Sequence, residues 1–191
     1  MMRKNLLLKF TTLSLLLTSF SLTAAPEATP QEALMLRRIS EFWKDGDFAT
    51  VKKQILDYLS RHPETQLKDH LNAMLGDIYF QEKNFAQALS VYERIQNHEV
   101  RAKIFFNLLQ AKFENKDYEG VVQLAHEYLK DHQLGNGDVD VKLRRILAES
   151  LFREAFEAKD PEKKAHYLKL ARPHYKILSQ TKYGDKALFP L

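Results

Sequence analysis

The chain has no cysteine. Disulfides, thiolate zinc sites and a cysteine nucleophile are excluded, and lipid attachment through an N-terminal cysteine is not expected. Glycine and proline number only six each in 191 residues. So few breakers favour helices with short connections over an all-β sandwich, which needs many turn residues. Catalytic signatures are also missing: there is no H-E-x-x-H, G-x-S-x-G, G-x-G-x-x-G or G-x-x-x-x-G-K-[ST] motif. The seven histidines fall in no metal pattern. His126 and His132 are six apart on different helical faces, and His166 and His174 straddle Pro173. Asn136-x-Asp138-x-Asp140 lacks the glycine and the closing glutamate of a calcium loop. The expectation is a protein that is not an enzyme and holds no cofactor and no metal.

The first residues read as an export signal. Arg3 and Lys4 form a positive start, Leu6 to Leu22 is leucine-rich and apolar apart from Lys9 and hydroxyl residues, and Thr23-Ala24-Ala25 offers small residues for cleavage before Pro26. The apolar stretch after Lys9 is short for a membrane span. Cleavage after Ala24 or Ala25 removes Arg3, Lys4 and Lys9 with no acid, taking the formal charge from +4 to +1. The basic balance therefore belongs largely to the discarded segment and does not argue for nucleic acid. The mature chain is expected in the periplasm or secreted, meeting a membrane only indirectly or through a partner.

What remains repeats itself. Trp43-Lys-Asp-Gly-Asp-Phe48, Phe80-Gln-Glu-Lys-Asn-Phe85 and Phe113-Glu-Asn-Lys-Asp-Tyr118 superpose at spacings of 37 and 33 residues. Such a period is that of stacked supersecondary units. An apolar helical pattern precedes the second copy (Leu71, Leu75, Ile78, Tyr79) and another follows it (Ala88, Leu89, Tyr92, Ile95). Asp47, Asn84 and Asp117 stand where a side-chain oxygen can cap the following helix. Gly76 and Ala88 are small enough to let two helices approach closely.

Asn72-x-x-Leu75-Gly76-x-x-Tyr79 followed by Ala88-x-x-x-Tyr92 resembles the tetratricopeptide repeat, with Asn72 in place of its leading tryptophan. The other copies depart from it: Ile39 and Leu109 occupy the glycine position, and Val121 replaces Ala88. The resemblance covers residues 31 to 132. Residues 139 to 180 read as a fourth, divergent pair, with Pro161 opening its second helix and Pro173 kinking it. The expected fold is all-α, a superhelix of about four hairpins (31–65, 68–98, 101–132, 139–180). Residues 1–25 read as the signal peptide, 26–30 as a linker, and 181–191 as a tail or the start of a further, truncated repeat.

In this family the first helix of each hairpin lines the concave wall. The resemblance thus implies that Trp43, Phe80, Phe113 and Phe152 recur along one wall, as a groove for an extended peptide or partner helix, with Lys44, Asp77, Gln81, Gln110, Glu114 and Glu149 facing the same way. The alternative is that these rings are buried between hairpins. The family's Lys-x-x-x-Asn clamp for a C-terminal carboxylate is replaced by Leu36 and Ser40, so that kind of tail binding is not expected. Lys163, Lys164, Lys169, Arg172 and Lys176 offer either a patch for an anionic partner or a solvated helix face. The function expected is a protein-binding scaffold or adaptor in cell-envelope assembly. The alternatives are the non-catalytic helical portion of an envelope enzyme, such as a cell-wall lytic enzyme, or a periplasmic holding chaperone.

Overall fold

A computed structural model describes residues 29–135 and 137–181. The expected signal segment and the tail after Thr181 lie outside the described residues. Among the described residues there are eight helices and no strand. They are α1 (Pro30–Lys44), α2 (Phe48–Arg61), α3 (Lys68–Gln81), α4 (Phe85–Tyr92), α5 (His98–Glu114), α6 (Tyr118–Asp131), α7 (Asp138–Glu157) and α8 (Pro161–Ser179). The chain divides into two compact units, one ending at Gln66 and the other starting at Leu67.

One turn design serves three hairpins. In each, the first helix ends, one residue adopts a left-handed conformation, and an Asp or Asn caps the next helix. The left-handed residue is Gly46 (φ 76°), Lys83 (φ 59°) or Lys116 (φ 64°). The capping oxygens of Asp47, Asn84 and Asp117 accept from the backbone N–H of Thr50, Gln87 and Gly120. The turn itself is tied by Asp47, Asn84 and Asp117 N–H groups donating to the carbonyls of Phe42, Tyr79 and Lys112 at 2.9, 2.8 and 2.9 Å. Helix ends of this kind favour glycine, because a Cβ is strained at positive φ. Lys83→Gly and Lys116→Gly are therefore each expected to stabilise the fold by about 0.5–1 kcal/mol, read as a higher urea midpoint with an unchanged slope.

In the first unit, Thr29 and Glu32 form a reciprocal capping box at the start of α1. The same Glu32 carboxylate accepts from the Tyr58 hydroxyl of α2 at 2.6 Å and from Thr65 at 3.3 Å. Led by the Tyr58 bond, these contacts hold the Glu32 carboxyl down at about 2.

In the second unit, α3, α5 and α7 touch one another in succession, while α4 packs on α3 and α5, and α6 on α5 and α7. One core joins Ala73, Ala88, Tyr92, Ile95, Ile104, Leu108 and Ala111. Another gathers Leu109, Val121, Ala125, Leu143, Leu147, Leu151, Ala171 and Leu178. Asp69 on α3 pins the connection between α4 and α5, accepting from the N–H groups of Gln96 and Asn97 at 3.0 and 2.6 Å. α8 runs continuously through Pro173 and is tied to α7 where the Tyr175 hydroxyl donates to the Ala148 carbonyl at 3.0 Å.

Candidate functional site

The aromatic pairs of the sequence motif meet across their own turns. Trp43 lies edge-on to Phe48 at 5.3 Å, Phe80 to Phe85 at 5.5 Å and Phe113 to Tyr118 at 5.7 Å. Each pair clasps the end of one helix to the start of the next, the T-shaped geometry that aromatic quadrupoles prefer. Trp43 is only 5 % exposed. Phe80, Phe113 and Phe152 are half-buried against the two cores of the second unit and keep part of their rings at the surface. The fourth hairpin has no such clasp: its turn is capped by Asp160, which accepts from the Glu162 N–H at 2.9 Å, ahead of Pro161.

Asp77 is not on the wall where the sequence resemblance placed it. It is 3 % exposed, on the buried side of α3. Its Oδ1 accepts from the Tyr92 hydroxyl of α4 and from the Asn107 side-chain amide of α5 at 2.8 Å, while its Oδ2 is buried without a partner. Three consecutive helices are thus joined at one carboxyl. The reason is local. Gly76 leaves room for the Tyr92 ring to lie on the α3 backbone, and that ring carries its hydroxyl to the next residue along. Burial raises the Asp77 carboxyl to about 6, against the lowering effect of its two hydrogen bonds. Burial, and then the neighbouring Asp77 charge, raise the Tyr92 phenol.

Gln81 of α3 and Lys103 and Glu114 of α5 are exposed, a polar set of mixed charge, and Gln110 donates to Glu114 at 2.7 Å. Lys103 of α5 lies near enough to His70 of α3 to contribute to lowering its imidazole, after burial. The five basic residues of α8 are all exposed. Lys169, Arg172 and Lys176 share one face, opposite the buried Ala171, Tyr175 and Leu178. None of the five has an ion-pair partner among the described residues.

A second repeat is visible only with the structure in hand. Tyr58 packs against His62 with tilted rings at 4.6 Å at the end of α2, and Tyr128 stacks on His132 at 4.1 Å at the end of α6. The Tyr-Leu-x-x-His pattern at 58–62 and 128–132 was its sequence signal.

Among the described residues no group of three or more His, Asp or Glu side chains is placed to hold a metal ion, and no helix is long and apolar enough to cross a membrane. The fold thus defines the class: an all-α chain of helical hairpins. Comparison with known proteins finds no matching family model, no matching curated protein and no matching solved structure.

Proposed function

We propose that this chain is an exported protein-binding scaffold of the tetratricopeptide-repeat type, holding a peptide or a partner helix against the layer formed by α3, α5 and α7. The observation that carries this reading is the threefold recurrence of one clasped and capped hairpin turn, at positions 43–48, 80–85 and 113–118. Repetition of a unit that buries its apolar side against its neighbours leaves the opposite side of the first helices in register, as an extended wall. The partly buried rings of Phe80, Phe113 and Phe152 are the proposed apolar anchors of that wall, set among polar side chains that fix orientation. The leucine-rich N-terminal segment with its small-residue exit points to service in the cell envelope.

The test is photo-crosslinking in the native cell, with the reactive group placed at Lys103 or Glu114 of α5 and, for comparison, at Glu127 on the exposed side of α6. A discrete polypeptide adduct from the α5 positions, absent from Glu127, is expected. Adducts from Glu127 alone, or none from any of the three, would defeat the reading.

A further inference from the structure

The charge of the chain is unevenly placed. α8 carries Lys163, Lys164, Lys169, Arg172 and Lys176 against one acid, Glu162, a formal +4. The whole chain is also +4, so everything outside α8 balances: 29 less 5 basic residues and 25 less 1 acidic residues leave 24 of each. The other side of α8 fixes its rotation. Ala171, Tyr175 and Leu178 are buried, and the Tyr175 hydroxyl donates to the Ala148 carbonyl of α7 at 3.0 Å. Lys169, Arg172 and Lys176, spaced by three and four residues, are therefore held on the exposed side, in a stripe about 10 Å long. Asp160, the nearest acid before Glu162, is engaged at the helix start, where it accepts from the Glu162 N–H at 2.9 Å. Two large apolar side chains border the basic surface. Leu168 is 37 % exposed, one helical turn from Lys164 and one from Arg172. Phe156 is 76 % exposed. It is the penultimate residue of α7, at the end of the hairpin where Lys163 and Lys164 begin α8.

We infer that the basic face of α8 docks on the headgroups of an anionic phospholipid bilayer, with Leu168 and Phe156 entering the boundary beneath them. The chemistry of the face selects this partner. Four of its five cations are lysines. An ammonium is a point charge without the planar fork that pairs carboxylates one to one. A row of them suits a diffuse field of phosphate headgroups better than the fixed carboxylates of an acidic protein. An acidic polypeptide has no use for exposed apolar side chains beside that row. A bilayer does, because its interface takes up aromatic and aliphatic side chains that flank basic ones. The contact is peripheral, so its strength follows the number of cations and falls as salt screens them. It is also direct, unlike the indirect contact expected from the sequence. It uses α8 rather than the α3–α5–α7 wall and does not rest on the scaffold reading.

In the experiment, the chain purified from its native cell is sedimented with vesicles of phosphatidylcholine alone, and with vesicles of equal parts phosphatidylcholine and phosphatidylglycerol. Binding to the mixed vesicles only, released by added salt, is expected. Neutralising the stripe together (Lys169→Gln, Arg172→Gln, Lys176→Gln) is expected to weaken that binding about a hundredfold. Neutralising three exposed cations elsewhere (Arg38→Gln, Lys53→Gln, Lys130→Gln) makes the same change in net charge and is expected to leave it nearly intact. Phe156→Ser, which keeps every charge, is expected to weaken it about fivefold. Soluble polyglutamate represents the other class of partner, and its failure to strip the chain from the mixed vesicles at matched charge is expected. Equal binding to both kinds of vesicle, an equal loss in the two triple variants, unchanged affinity in Phe156→Ser, or displacement by polyglutamate would overturn the assignment. The vesicle comparison and the polyglutamate competition use the wild-type chain and stand even if the variants fold poorly.

Discussion

Gly76→Ala is expected to lower the stability of the second unit by about 2 kcal/mol. Alanine in a helix interior ordinarily gains about 1 kcal/mol over glycine, so the sign alone is informative. A Cβ at position 76 would collide with the Tyr92 ring, including Cζ at 2.9 Å. That ring is fully buried, and its hydroxyl is bonded to Asp77. It cannot retreat without opening the core or breaking that bond. Overpacking of this kind costs about 1–3 kcal/mol, and a weakened bond to a buried carboxyl adds about 1–3 kcal/mol more. Urea unfolding measures the difference. A second substitution, Tyr92→Leu, should make Gly76→Ala neutral to stabilising by up to about 1 kcal/mol in its background, because the colliding ring is gone. A stabilising Gly76→Ala in the wild-type background would show that α3 and α4 are not in this close contact.

The second large effect is a pH dependence that belongs to Asp77. Its carboxyl titrates at about 6 in the folded chain, against 3.8 when unfolded. Between those values the folded state binds more protons than the unfolded state, so stability falls as pH rises. The contribution is complete below about pH 4 and lost as pH passes 6. Over the whole window it amounts to about 3 kcal/mol. Asp77→Asn keeps an acceptor for Tyr92 and Asn107 but cannot ionise. Its unfolding free energy should therefore lack this fall between pH 4 and pH 7. Subtracting one profile from the other removes the groups the two chains share, such as the Glu154 carboxyl that burial also raises. Parallel profiles would mean that Asp77 is not buried as described.

The all-α class was legible from the scarcity of glycine and proline and from the spacing of Leu71, Leu75, Ile78 and Tyr79. The turns were legible in most detail. Asp47, Asn84 and Asp117 were readable as caps, because a short polar oxygen before a helical run has one obvious use, and each accepts the bond expected of it. The role of Gly76 was readable too, as a residue that with Ala88 is small enough to let two helices approach, while the Tyr92 ring that fills the space needed coordinates. The place of Asp77 was not. Helical spacing puts it beside Gly76, but an aspartate on an amphipathic helix defaults to solvent. Only the three-helix meeting with Tyr92 and Asn107 moves it inside. The buried Arg144 was hidden for the same reason, since nothing local marks an arginine on an amphipathic helix as buried. The aromatic motif was legible as a repeat, though the ring-to-ring clasp across each turn needed coordinates.

The most direct test of the scaffold reading is NMR mapping of the polypeptide captured from the cell, titrated onto the isotope-labelled chain. Shifts concentrated on the outward residues of α3, α5 and α7, among them Gln81, Lys103, Gln110 and the rings of Phe80 and Phe113, are the predicted result. Shifts confined to α4 and α6, or to the basic face of α8 at Lys169, Arg172 and Lys176, would contradict it.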